Sequence, residues 1–201
     1  MRLLVASSNP GKLREYRALA SQDASTLAVE LDLLPNFSQL PAFDESAPTF
    51  AENAAGKALH YSRYTEEAVL ADDSGLVVDA LGGAPGVHSA RYAGANASDA
   101  QRVVKLLREL RVRGASDRRG RFVCILAIAR RGHVSGVFSD AVEGEITDFP
   151  RGAGGFGYDP VFFIPALGKT FAEIPGESKN LYSHRGKAFR KLLAFLAASS
   201  V

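Results

Sequence analysis

The first twenty residues restrict the fold more than any other stretch. "RLLVAS" is a short apolar run closed by turn residues, the pattern of a buried strand. It breaks at Ser7, Ser8, Asn9, Pro10, Gly11 and Lys12. Asn9 or Ser8 is placed to cap a helix, and Pro10 suits its first turn. Leu13, Tyr16 and Leu19 then recur at helical spacing. A strand, a tight loop and a helix in that order open an α/β fold.

The rest of the chain continues the pattern. A strand is expected around residues 31–34, followed by a loop broken by prolines. "TFAEN" starts a second helix: Thr49 and Glu52 have capping-box spacing, and Phe50, Ala54, Ala58 and Tyr61 form an apolar stripe. "AVLADDSGLVVDAL" reads as a strand running into a carboxylate-bearing turn and out again. "GGAPGVHSARYAG" reads as a loop. Ser98 and Gln101 repeat the capping signal before a third helix, carried by Val103, Val104, Leu107 and Leu110. "RFVCILAIARR" and "HVSGVFSDAVEGEI" are strand-like runs around Gly132, which predicts a hairpin. After the Gly-rich "RGAGGFGYDP" and the apolar "VFFIP", a final helix is expected, burying Phe189, Leu192, Leu193 and Leu196. Helices mixed with strands and at least one hairpin mean an α/β fold with a mixed sheet.

With 201 residues and about 150 residues per domain as a guide, one domain over 1–201 is expected, with room for two lobes. A net charge of +2 argues against a dense positive field for nucleic acid. Cys124 lies within an apolar run and reads as a buried, inert thiol. The N-terminal apolar run is broken too soon for a signal peptide, and no segment is long and apolar enough for a membrane. A cytoplasmic protein is expected.

Four stretches carry candidate chemistry. Residues 7–12 lack the early glycine and the hydroxyl of a Walker loop. A helix N-terminus still favours phosphate, and Lys12 adds a charge. The same residues also describe a capped helix with a solvated lysine. Asp72 and Asp73 are costly if buried unpaired. Acids at a strand end can hold Mg²⁺, which brings substrate phosphates with it, and one can orient or deprotonate a water. Asp-Ser-Gly is equally good composition for an exposed turn. Glu45 is a further oxygen donor. In "GGFGYDP", Phe156 and Tyr158 can stack on a flat ring and Asp159 can accept from a base edge; aromatics tucked into the core are the alternative. Lys179, Ser183, His184 and Arg185 supply hydrogen-bond donors, although a His-Arg pair is as often plain surface. Together these suit a nucleoside triphosphate with a metal.

The stretches "SSNPGKLREY", "TFAENAAGKA", "LADDSGLVVDALGGAPGVHSARYAG", "GGFGYDPVFF" and "KNLYSHRGKA" run from residue 7 to residue 188. In this order the chain resembles the inosine triphosphate pyrophosphatase family, the non-canonical purine dITP/XTP pyrophosphatases. The resemblance implies an elongated mixed sheet flanked by helices, with two lobes and a central active-site cleft. It implies Mg²⁺-dependent hydrolysis of ITP, dITP and XTP between the α and β phosphates, by a homodimer that clears deaminated purines. It makes Ser7 to Lys12 the triphosphate loop, whose common form has Thr and Gly where this chain has Ser7 and Ser8. It makes Asp73 proton acceptor and magnesium ligand, Glu45 a magnesium-associated acid, Ser74 a substrate contact and Lys57 a phosphate-facing cation. Phe156, Gly157, Tyr158 and Asp159 match the nucleotide-binding loop, and Lys179, His184 and Arg185 the base-recognising segment. A pyrophosphatase for modified pyrimidine nucleotides would share the phosphate loop and acids but not this base-binding set. A silent nucleotide-binding module would more naturally lack the acids.

Overall fold

The computed structural model describes residues 1–7, 9–22 and 29–199. Strand β1 is Arg2–Val5, helix α1 Pro10–Gln22, strand β2 Glu30–Leu33, helix α2 Phe50–Tyr61 and strand β3 Ala68–Val78. Helix α3 is Asp99–Val112, and strands β4 and β5 are Arg119–Arg130 and His133–Ile146. The short strands β6 and β7 are Phe162–Ile164 and Lys169–Thr170, and helices α4 and α5 are Gly176–Tyr182 and His184–Ser199. The strands form one sheet in the order β2-β1-β3-β4-β5-β6-β7. β1 runs parallel to β2 and β3, whereas β6 is antiparallel to β5 and β7, so the sheet is mixed. Arg131 and Gly132 alone join β4 to β5, with φ of 50° and 76°. Two residues at positive φ make the turn whose twist suits a hairpin.

The chain divides into two compact units. The first comprises Met1–Asp73, Cys124–Asp140 and His184–Val201. Its central strands β1, β3 and β4 are apolar on both faces, and the period of two sorts their residues. Leu3, Val5, Leu70, Leu126 and Ile128 share a core with Leu13, Tyr16 and Leu19 of α1 and Phe189, Leu192, Leu193 and Leu196 of α5. Leu4, Ala6, Val69, Ala71, Ala127 and Ala129 point the other way, onto Ala54, Ala58 and Tyr61 of α2. Alanines on both sides of that second core let α2 lie close to the sheet. Cys124 is buried in the first core as expected, and burial pushes its thiol up to about 12.

The second unit comprises Ser74–Val123 and Ala141–Ser183. Its core gathers Leu76, Val78, Phe122, Ile146, Phe162 and Phe171 against Val103, Leu106, Leu107 and Leu110 of α3. Val104, expected on the buried stripe, is 65 % exposed. Leu106 takes its place because the helical period aligns it with Val103 and Leu110. The caps expected at Thr49 and Ser98 form. Thr49 accepts from the Glu52 N–H, and Ser98 and Gln101 close a full capping box. No described helix is long and apolar enough to cross a membrane.

One expectation fails outright. Asp72 and Asp73 do not sit in a turn; β3 runs through them without a break. Both are buried. An Asp-Ser-Gly stretch has turn composition, but its backbone groups here belong to a strand whose neighbours in the sheet are β1 and β4.

Candidate active site

In the first unit, adjacent positions on β3 send the two acids to opposite faces. Asp72 joins the α1 and α5 side. Its Oδ2 lies 2.8 Å from Lys12 Nζ and 3.9 Å from Arg185 Nε. Arg185 also bonds Glu15, and its guanidinium lies over the Tyr16 ring, 5.9 Å from the centroid. Two cations thus meet two anions in a buried cluster. Burial alone would raise the Asp72 carboxyl, but Lys12, Arg185 and Lys57 hold it down to about 2. Asp72 is therefore ionised and spent on charge pairing, which removes it from candidacy as the base. Arg185, expected to face a base, is buried and turned to Glu15 and Asp72.

Asp73 faces α2. Its Oδ2 accepts from Asn53 Nδ2 at 3.0 Å. Burial pushes its carboxyl up to about 6, the Asn53 hydrogen bond works against the rise, and the negative charge of Glu45 adds to it. Glu45 bonds Lys57 of α2. Burial works against the Lys57 charge, yet Glu45, Asp72 and Asp73 more than offset it and raise its pKa. Asp73 is thus a buried carboxylate raised toward neutral pH, beside the charges of Glu45 and Lys57.

The first loop is partly used up by its own cap. Asn9 Oδ1 accepts from the N–H groups of Gly11 at 2.9 Å and Lys12 at 3.3 Å, and the Asn9 N–H donates to Ser7 Oγ at 3.1 Å. Asn9 is the cap, and two of the N–H groups expected to meet phosphate are already satisfied. Ser8 lies outside the described residues. Pro10 begins α1. His184 opens α5 and is buried.

In the second unit, the Gly-rich loop is held from three directions. Asp159 Oδ2 accepts from the Phe156 N–H at 2.8 Å and from Lys179 Nζ at 2.6 Å. Gly155 sits at φ 72°, and a Cβ there would lie 2.1 Å from Asp159 Oδ2, so only glycine lets the carboxylate close on the loop. The Gly157 N–H donates to Asp99 Oδ2 at 2.6 Å, and Asp99 pairs with Arg102. Tyr158 is buried, its hydroxyl donating to the Ser89 carbonyl at 2.9 Å. It anchors the loop instead of offering a ring face. Phe156 stays half-buried, with Lys179 Nζ 5.0 Å from its centroid. Ser183 closes α4 with its N–H on the Lys179 carbonyl, and Ser74 is half-buried in β3.

The sequence profile of the Ham1 family matches residues 3–195. The chain belongs to the Ham1 family. Within it, a dITP/XTP pyrophosphatase from Geobacillus kaustophilus is 50 % identical over 190 residues, 94 % of this chain and 91 % of its own length. A dITP/XTP pyrophosphatase from Geobacter sulfurreducens is 48 % identical over 191 residues, 95 % of this chain and 94 % of its own length. The structure of a HAM1 protein from Coxiella burnetii superposes with a TM-score of 0.87 at 40 % identity, covering 98 % of this chain and 99 % of that one. The Ham1 protein of Staphylococcus aureus gives 0.85 at 37 % identity, covering 99 % and 100 %.

Among the residues singled out in the sequence, the structure brings together Lys12 with Asp72, Glu45 with Lys57 and Asp73, and Phe156 with Asp159 and Lys179. Sequence reasoning missed Asn53, Glu15, Ser89 and Asp99. Asn53 had a signal: a poor helix former among alanines in "AENAAGKA", where only a specific hydrogen bond rewards an amide.

Proposed function

We propose that this protein hydrolyses non-canonical purine nucleoside triphosphates, ITP, dITP and XTP, to the monophosphate and pyrophosphate, and so removes deaminated purines from the nucleotide pool. The observation that carries the reading is Asp73. It is a buried carboxylate raised to about 6, set against Glu45 and Lys57, in a chain whose relatives are named for this reaction. Mg²⁺ dependence, homodimeric assembly and a cytoplasmic location are the finer parts of the same proposal.

The donor set suits Mg²⁺. Asp73 and Glu45 are hard oxygen donors whose mutual repulsion a divalent cation relieves. Among the described residues no three His, Cys, Asp or Glu side chains form a ready cage. Asp73 and Glu45 are the residues that would hold the ion. When bound, the ion supplies charge neutralisation to the phosphates. Asp73 orients the attacking water and accepts its proton. Lys12 spends one of its N–H bonds on Asp72 and directs the others to phosphate oxygens. With Lys57 it stabilises charge on the departing pyrophosphate. Asp72, kept ionised, holds Lys12 in place.

The half-buried Phe156 stacks on the purine. Lys179 donates to the 6-oxo group of hypoxanthine or xanthine. Adenine carries an amino group there and would leave the ammonium facing a donor, which a buried site penalises heavily.

The test is product analysis with dITP, with and without Mg²⁺, alongside dATP and dGTP. The proposal expects dIMP and pyrophosphate only with metal, and dATP and dGTP largely spared; guanine shares the 6-oxo group, so its exclusion falls to contacts at the 2-position and not to Lys179. Release of dIDP and orthophosphate would overturn the bond assignment. Binding of dITP without turnover would make the protein a nucleotide-binding module.

A further inference from the structure

We infer that Asn53 is a positioning residue that locks Asp73 to the loop carrying Glu45. Asn53 is fully buried on α2. Its Oδ1 accepts from the Ala47 N–H at 3.0 Å, and its Nδ2 donates to the Ala47 carbonyl at 3.3 Å and to Asp73 Oδ2 at 3.0 Å. The amide pairs with both backbone groups of one residue, as a neighbouring strand would, and gives its second N–H to the carboxylate. The partners leave it one orientation. Turned over, its oxygen would face a carbonyl and a carboxylate, and its NH₂ would face an N–H.

Asp73 has one oxygen fixed by a donor, so Oδ1 is the oxygen presented to a ligand. The loop is also held twice by one helix face. Asn53 grips Ala47, and Lys57, one turn further along α2, grips Glu45. The spacing between the two carboxylates is therefore set by a rigid helix and not by the loop. Buried amides whose donors are all spent are expected where a constellation must keep its geometry.

The kinetic part of this inference rests on the proposed function. Its test compares Asn53→Ala and Asn53→Ser with Thr49→Ala. The last removes the bond that the Glu52 N–H donates to Thr49 Oγ1 and so weakens the same helix away from Asp73. Two readouts are taken: dITP kinetics across a Mg²⁺ series, and the shift in melting temperature that Mg²⁺ produces in nucleotide-free protein. Both Asn53 variants are expected to lose about 10²-fold in kcat with KM within about 3-fold of wild type. They should need more Mg²⁺ for the thermal shift, while Thr49→Ala keeps wild-type kcat. A folded Asn53 variant with wild-type kcat and Mg²⁺ response overturns the inference. So does an equal kcat loss in Thr49→Ala. Failure of both Asn53 variants to fold also overturns it, since the residue is then a requirement of the fold alone. If the wild-type protein leaves dITP untouched, the proposed function falls, and the Mg²⁺-induced thermal shift by itself decides the role of Asn53.

Discussion

Asp73→Asn should make the metal-free protein more stable while destroying its turnover. The carboxyl rises from its ordinary 3.8 to about 6 on folding. Such a rise corresponds to roughly 3 kcal/mol of penalty on the ionised form. Residual contact with solvent lowers what can be recovered, so about 1–3 kcal/mol is expected. Asparagine keeps an oxygen to accept the Asn53 N–H, so the substitution removes the charge without orphaning its partner. A raised carboxyl contributes stability below its unfolded value and loses it as pH rises through the folded one. The two proteins should therefore melt alike near pH 4, diverge as pH rises towards about 6, and keep a constant gap above that. For a chain of this size the gap is about 2–12 °C. Thermal melts in EDTA between pH 4 and pH 8 measure it. Mg²⁺ should then raise the wild-type midpoint and leave the variant unchanged. Turnover should fall by about 10²–10⁴-fold. An equal or lower melting temperature for the variant at neutral pH, or a gap independent of pH, would refute the claim that the Asp73 carboxylate is held at a cost to the fold.

Lys12→Met removes the nearest cation from the buried Asp72 and should cost about 3 kcal/mol in urea denaturation at neutral pH. Because the native Asp72 is depressed to about 2, this wild-type advantage should shrink as pH falls from 4 towards 2; a loss that persists there would mean Lys12 acts through packing. Asp99→Ala leaves the Gly157 N–H without its carboxylate and should raise KM for dITP by about tenfold, with kcat little changed. An unaltered KM would show that the loop holds its shape without that contact.

Local signals were legible. Asn9, Thr49 and Ser98 cap the helices they precede because a cap needs only a side-chain oxygen within three residues of an N–H. The hairpin at Gly132 comes from two residues of backbone, and the buried side of α5 from the spacing of Phe189, Leu192, Leu193 and Leu196. Composition misled where two local readings competed. "DDSG" has the residues of a turn, but β1 and β4 flank it in the sheet, and pairing in a sheet cannot be read from four residues. The aromatic pair in "GGFGYDP" looked equivalent. Tyr158 differs from Phe156 because its hydroxyl meets the carbonyl of Ser89, sixty-nine residues earlier.

The sequence by itself determined most of the elements, the helix caps at Asn9, Thr49 and Ser98, the family and the residue types available for the chemistry. Those depend on neighbours a few positions apart and on the order of the motifs. What only the tertiary structure decided is the state of each charged group. Asp72 and Asp73 are adjacent and chemically identical, yet one is held near 2 and the other raised to about 6. The first meets Lys12 and Arg185, brought in by α1 and α5; the second meets Asn53 on α2 and the charge of Glu45. A carboxylate's ionisation depends on burial and on charges within a few ångströms, and the strand's alternation turns these two neighbours into two different environments.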